Sequence, residues 1–444
     1  MGIFVLNSKS MRQNTLWVLL FMLVSAPQLD AGSMDIVPGK ILVKFKATPE
    51  ISDATLSTGL KSVDDKIKIA GIDHIEKTLP KLRESESTLH NVFSFAFDPS
   101  RKTQAMLDLF NSDPNVEYAE PQYLHELYDL PNDPYFSIAQ SYLSDINLPA
   151  AWDIVKGDSG HIVIALIDDG VDLDHADLSD NLWVNPDEIA NNGIDDDQNG
   201  YIDDIHGWNF ANNTNNPSGV VGSDGYNGHG TRVASLFATT DNSNMLAGAS
   251  WNCDLMVLNA SYLNVNFGSP SIQWGFESMV YAAENGAKII SCSWGRRGGY
   301  SQLEADITAY VQSLGVIIFN ASGNVGTNAD FNPNYPGGYY NVLTVGSTGA
   351  TNPILSGFSS YGASVDIFAP GENIKLLSDN GGVNGGTGSG TSFATPLAAS
   401  VAALIWTLHP DWTADMVREQ LRTTSIPMDA QNQSSLTGKL GHGR

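Results

Sequence analysis

Cysteine is nearly absent from this chain: its 444 residues include only Cys253 and Cys292. At most one disulfide can form, so a disulfide-stapled scaffold is excluded and the core must come from apolar packing. Both cysteines lie in strand-like apolar runs, Cys253-Asp-Leu-Met-Val-Leu and Lys288-Ile-Ile-Ser-Cys292, and are expected to be buried free thiols with no catalytic part. Positive charge is scarce as well, with 23 Lys+Arg against 49 Asp+Glu and a net charge of −26. Such a chain lacks the basic surface that phosphate backbones require, so nucleic acid is excluded as a partner. The deficit is uneven: from Pro131 onward 10 basic residues face 32 acidic ones, whereas residues 36–130 carry 11 against 15. Charged residues make up 16% and hydrophobic residues 42%, the balance of a globular chain. Internal repeats and low-complexity tracts are missing, and no Gly-x-Gly-x-x-Gly follows a first strand, which removes a dinucleotide-binding enzyme.

What is present centres on Gly390-Thr391-Ser392-Phe393-Ala394-Thr395-Pro396. The Ala/Leu-rich run from Leu397 to Ile405 is apolar nearly all round and reads as a buried helix ending near His409-Pro410. Ser392 then stands at that helix's N-terminus, with Pro396 at an early position that needs no N–H. The glycines from Gly381 to Gly390 read as a loop able to approach a ligand closely. Ile162-Val-Ile-Ala-Leu-Ile-Asp168 reads as a strand of a parallel sheet covered on both faces. Asp168 is therefore at the strand's carboxyl end, where open α/β sheets carry functional groups. His229 lies between two glycines at the start of another small-residue helical run.

Asp168, His229 and Ser392 are 61 and 163 residues apart, so three separate loops must converge. Together with Asn320-Ala-Ser-Gly-Asn324, the Asp-Asp-Gly, His-Gly-Thr and Gly-Thr-Ser-x-Ala-x-Pro motifs resemble those of the subtilisin-like serine proteases, or subtilases, which share this Asp, His, Ser order. The resemblance runs from about Pro131 to the last residue. It implies an α/β fold with a parallel sheet and helices on both faces, a view that the alternation of strand-like and helical runs supports independently. It also implies a serine endopeptidase acting through an acyl-enzyme. The competing expectation is a subtilase-like binding or structural protein without activity.

Residues 1–31 read as a secretory signal: Lys9 and Arg12 precede the apolar run Leu16–Ala26, which is too short for a comfortable membrane span. Val24-Ser25-Ala26 is the expected cleavage site, with Ala31 as the alternative. A secreted chain without stable membrane association, and a monomer, is expected. Residues 36–125 read as a small α+β unit, with alternating strands at Lys40–Lys46 and Asn91–Phe97 and an amphipathic helix at Thr103–Asn111. This unit resembles a subtilase propeptide, which implies a folding chaperone and an inhibitor of its own enzyme. Residues 126–133 are the linker expected to be cut, and 134–444 the peptidase domain. In relatives a Gly-x-Gly element like that in Gly438–Arg444 leads into a final helix, so this domain is expected to be truncated at its C-terminus.

The resemblance assigns Ser392 as nucleophile, His229 as general base, Asp168 as its orienting carboxylate and Asn324 as an oxyanion donor. Substrate would be a polypeptide, pairing along Ser293-Trp294-Gly295 and entering a primary pocket lined by Ala321, Ser322, Gly323 and Asn334. No acidic side chain is evident among these, so a basic preference is not indicated. Arg296-Arg297 reads as a solvated loop, with a bias toward acidic substrate residues as the alternative. Arg232 and Leu397 stand where many relatives carry histidine.

Calcium is the expected cofactor, structural rather than catalytic. Asp195, Asp197 and Asn199 fall at alternate positions before Gly200, the opening of an EF-hand-like loop, with Tyr201 adding a carbonyl and Asp203 or Asp204 a carboxylate. His206 stands where that loop's bidentate Glu would be, so the match is incomplete. A second calcium site, from resemblance alone, would use Asp177, Gln140 and Asn242 with its surrounding loop.

Overall fold

In the computed structural model the described residues are 36–51, 56–79, 88–123, 130–157, 162–219, 228–237, 244–264, 269–378 and 381–444. The expected signal and residues 126–129 of the expected linker lie outside them. The chain divides into two units, Met1–Leu127 and Tyr128–Arg444.

Alternation along β1 (Ile36–Phe45) buries Ile41, Val43 and Phe45 completely, as the period of a half-buried strand requires. After it come α1 (Lys61–Ala70), β2 (Ile72–Lys77), β3 (Val92–Phe97), α2 (Thr103–Asn111) and β4 (Val116–Tyr123). The strands form an antiparallel sheet in the order β2-β3-β1-β4. Phe45, Phe95 and Phe110 meet in its core.

The second unit opens with three short helices, α3 (Phe136–Ala139), α4 (Ser141–Asp145) and α5 (Leu148–Trp152). There follow β5 (Val163–Asp168), β6 (Gly207–Asn209), α6 (His229–Ala234), β7 (Asp254–Asn259), the hairpin β8 (Ser261–Asn264) and β9 (Ser269–Ile272), and α7 (Gly275–Glu284). Next are β10 (Ile289–Cys292), β11 (Arg296–Arg297), α8 (Gln302–Ser313), β12 (Ile317–Ala321), β13 (Asn334–Tyr335), β14 (Val342–Gly349) and β15 (Ile367–Glu372). The hairpin β16 (Ile374–Ser378) with β17 (Gly382–Gly388), then α9 (Thr391–Leu408) and α10 (Ala414–Thr424), complete the unit. Seven strands form one parallel sheet in the order β15-β14-β12-β10-β5-β7-β6. Side chains of a strand alternate between faces, so Ile164 and Leu166 of β5 join the core that holds α9, while Ala165 and Ile167 join the core that holds α7. Helices thus cover both faces, as the sequence predicts. Helix α9 is long and apolar enough to cross a membrane, yet 83% of it is buried inside the protein, which makes it a core helix. Cys253 and Cys292 are free and fully buried, and burial pushes the Cys253 thiol up to about 12.

Two local expectations are corrected. The glycine stretch is no plain loop: Gly382–Gly388 is a strand paired with β16, because glycine accepts extended backbone as readily as a turn once its N–H and C=O groups find partners. Pro396 is the sixth residue of α9, past the positions where a missing N–H costs nothing. The carbonyl it leaves without a helical donor is that of Ser392, and the Ser293 hydroxyl donates to it at 2.8 Å.

Candidate active site

Three element ends converge. Asp168 closes β5 and is 3% exposed, and its Oδ1 lies 2.8 Å from His229 Nδ1 at the first residue of α6. The adjacent Asp169, just past the end of β5, has a different set of partners. Its two oxygens accept the N–H groups of Gly230 at 2.7 Å and His229 at 3.3 Å, so one carboxylate holds the imidazole and the other holds the backbone beneath it. Glycine at 230 is required by this packing, because a Cβ there would stand 2.2 Å from the Gly170 carbonyl oxygen. Burial and the Asp168 charge push Asp169 up to about 6, against the pull of those N–H groups. Burial also acts to lower His229, but the charge and hydrogen bond of Asp168 outweigh it and hold the imidazole above its ordinary value.

Ser392 is the second residue of α9, where a backbone N–H has no intrahelical acceptor. Its hydroxyl donates to the Ser293 carbonyl at 3.2 Å. The next residue, Phe393, brings its ring centroid 6.2 Å from that of His229, so the imidazole stands beside the start of α9. Asn324 accepts from Thr391 N–H at 2.8 Å and from the Thr391 hydroxyl at 2.9 Å through one atom, Oδ1. Its planar amide therefore directs the NH₂ group away from Thr391, and Asn324 lines the same cleft as Ser392. That cleft has a volume of about 250 Å³, and Ser293, Trp294, Gly295, Ala321, Ser322, Gly323 and Asn334 all line it. The Trp294 indole N–H is anchored on the Ile167 carbonyl at 2.8 Å, which makes the ring both a wall and a packed element. Asn334 donates to the Ala321 carbonyl at 3.0 Å across the cleft floor. A Cβ at position 295 would stand 2.3 Å from Asn334 Nδ2, so only glycine leaves this amide in place.

The acidic loop lies apart from these residues in sequence and is built locally. Asp195 accepts the N–H groups of Asn199 and Gly200, and Asp203 those of Asn192 and Gly193. Tyr201 stacks edge-on against Tyr281. Asp197 and Asp204 instead converge with Glu188, their carboxylate oxygens lying within 4.8 Å of one another. Asn199 donates to both Asp197 and Asp204, at 2.9 and 3.0 Å, and the Tyr281 hydroxyl donates to Asp204. Glu188 was not legible from sequence, because it precedes the alternating pattern and joins it only through the fold. For the second expected site, Asp177 accepts the N–H groups of Met245 and Leu246, and Gln140 exchanges two hydrogen bonds with Ala247. Asn242 lies outside the described residues.

Residues 159–443 match the model of the subtilase family, peptidase S8. The chain belongs to that family. Residues 24–122 match the fervidolysin N-terminal prodomain, so this subtilase carries a propeptide before its protease domain. It is 33% identical over 272 residues to a thermophilic serine proteinase from Bacillus sp. (strain AK1), a match spanning 61% of this chain and 59% of that protein. Thermitase from Thermoactinomyces vulgaris is 35% identical over 242 residues, 54% of this chain and 73% of that one. Among solved structures, a protease from Pseudoalteromonas arctica is similar at 26% identity with a TM-score of 0.54, covering 71% of this chain and 96% of that chain. The subtilase fold with its propeptide is thus the one expected from the sequence.

Proposed function

We propose that this subtilase is a secreted serine endopeptidase, matured by its own cleavage, in which Ser392, His229 and Asp168 carry the chemistry. The observation that carries the reading is the 2.8 Å contact of His229 Nδ1 with buried Asp168, beside a serine at a helix start. Asp168 fixes the proton on Nδ1 and leaves Nε2 as the base. As substrate enters, the Ser392 hydroxyl turns from the Ser293 carbonyl to Nε2, since hydrogen bonds of this kind tighten only in the substrate complex. Ser392 Oγ attacks the scissile carbonyl while His229 takes its proton. The negative oxygen is held by the Asn324 amide and the Ser392 N–H at the positive end of α9. His229 then gives the proton to the leaving amine, and water repeats the sequence on the acyl-enzyme.

Polypeptide is the substrate, laid along Ser293–Gly295 as an added strand. The propeptide, residues 36–125, acts as inhibitor until degraded, and the leader directs export. Calcium is proposed as a structural ion. Ligands about 2.4 Å from such an ion can be at most about 4.8 Å apart, and Glu188, Asp197 and Asp204 meet that limit. They would hold it, supplying a tie between the two ends of the loop. N-terminal sequencing of secreted wild type beside Ser392→Ala tests the reading: the mutant should persist as precursor, while wild-type hydrolysis rises as the propeptide is lost. Equal processing of both would contradict it.

A further inference from the structure

The two adjacent arginines of β11 are parted by their own strand. Residues directly opposite in an antiparallel pair share a face, and successive residues take opposite faces. Arg296 stands opposite Tyr335, and Arg297 opposite Asn334. On the first face Arg296 is fully engaged: its guanidinium lies 5.1 Å from the Tyr335 ring centroid and makes bonds of 3.1 and 2.6 Å to Glu304. Its positive charge is neutralised there. On the second face Arg297 is exposed and lines the cleft, on the same side as Asn334. No ion pair or side-chain hydrogen bond of Arg297 occurs among the described residues.

Among the described residues, none that lines the cleft carries a carboxylate. The nearest acid along the chain, Asp330, is turned to the Ala363 and Ser364 N–H groups at 3.0 and 2.8 Å. The lining around Asn334 therefore carries one positive charge and no negative one, in a unit that is strongly acidic. Charges farther away than a Debye length, about 8 Å at physiological salt, are largely screened, so the local guanidinium decides what a bound side chain feels.

Resting on the protease reading above, we propose that Arg297 makes this cleft select an acidic side chain on the acyl side of the scissile bond. A glutamate entering between Asn334 and Arg297 would meet one planar, always-charged donor fork, the geometry suited to a carboxylate. Exposed charge pairs contribute from almost nothing to about fivefold in an equilibrium, and partial enclosure by the cleft walls places this pair at the upper end.

The test uses the full chain after maturation and peptides identical except for Glu, Gln, Lys or Leu at that residue. The ratio of kcat/KM for Glu over Gln isolates charge from size and is insensitive to changes common to both peptides. Wild type should prefer Glu about fivefold, Arg297→Gln should bring the ratio to about one, Arg297→Lys should keep part of the preference, and Arg297→Glu should put the Lys peptide ahead of the Glu peptide. A wild-type ratio at or below one, or a preference that survives in Arg297→Gln, overturns the proposal. Cleavage of none of the four by wild type would instead bring down the protease reading on which it rests.

Discussion

Two groups of carboxylates in the second unit face the same electrostatic problem and meet it differently. At the end of β5, Asp168 and Asp169 are adjacent and buried, yet each has its own partner: an imidazole for one, the N–H groups at the start of α6 for the other. In the acidic loop, Glu188, Asp197 and Asp204 crowd together with only neutral donors, namely backbone N–H, Asn185, Asn199 and the Tyr281 hydroxyl. Among the described residues no Lys, Arg or His pairs with any of the three. Like charges that close repel unless a cation or a proton intervenes. The first pair is thus balanced within the protein by a group that titrates, whereas for the second group the balancing charge we propose is an ion from outside. Chemistry and stability should accordingly separate.

The largest effect expected from breaking this division is at Asp168. Asp168→Asn exchanges the carboxylate that fixes the His229 proton on Nδ1 for a neutral amide that can also donate and favour the wrong tautomer, and turnover should fall by about 10⁴-fold, the scale known for this kind of change in a serine protease triad. The melting temperature of the Ser392→Ala background should be far less affected. A loss of under tenfold, measured as kcat/KM on any peptide that wild type cleaves, would show that Asp168 does not orient the base.

A smaller effect, and one of the opposite kind, follows from removing calcium. Binding to the folded state alone adds about 2.7 kcal/mol when the ion is a hundredfold above its dissociation constant. The shift is roughly 2–4 °C per kcal/mol for domains of about 150–250 residues and smaller for a unit as long as Tyr128–Arg444, so chelation should lower the melting temperature by a few degrees. Asp204→Asn should abolish most of that difference. Melting curves of the Ser392→Ala protein in calcium and in excess chelator provide the measurement, and coincident curves would refute the ion.

The residues of the proposed chemistry were legible in the sequence and their setting was not, for a physical reason. Asp168, His229 and Ser392 sit at element ends and Asn324 in the turn that follows β12, where short motifs with glycine or small neighbours are needed to turn the backbone, and such motifs survive in one dimension. The strand run of β5 and the apolar surface of α9 were equally plain, because burial on two faces leaves no polar interruption. What escaped was tertiary. Glu188 joins Asp197 and Asp204 only because the loop folds back on itself, and no spacing announces it. Arg296 and Arg297 read as one basic pair until their register against Tyr335 and Asn334 sent them to different faces. Pro396 looked like a helix start, and only the Ser293 hydroxyl on the Ser392 carbonyl explains how the helix tolerates it.

The central claim, that His229 activates Ser392 under the influence of Asp168, is tested most directly by the rate at which an organofluorophosphonate labels the matured protein as a function of pH. Labelling forms a phosphorus–oxygen bond at the activated serine as the phosphorus–fluorine bond breaks and fluoride leaves, and it requires His229 neutral to take the hydroxyl proton. Because Asp168 holds the protonated imidazole above its ordinary value, the sign is fixed: the rate should be low in acid and rise through an apparent pKa above 6.5. Peptide mapping should place the label on Ser392 alone. Labelling at another residue, or a rate at Ser392 that does not change across this range, would contradict the account.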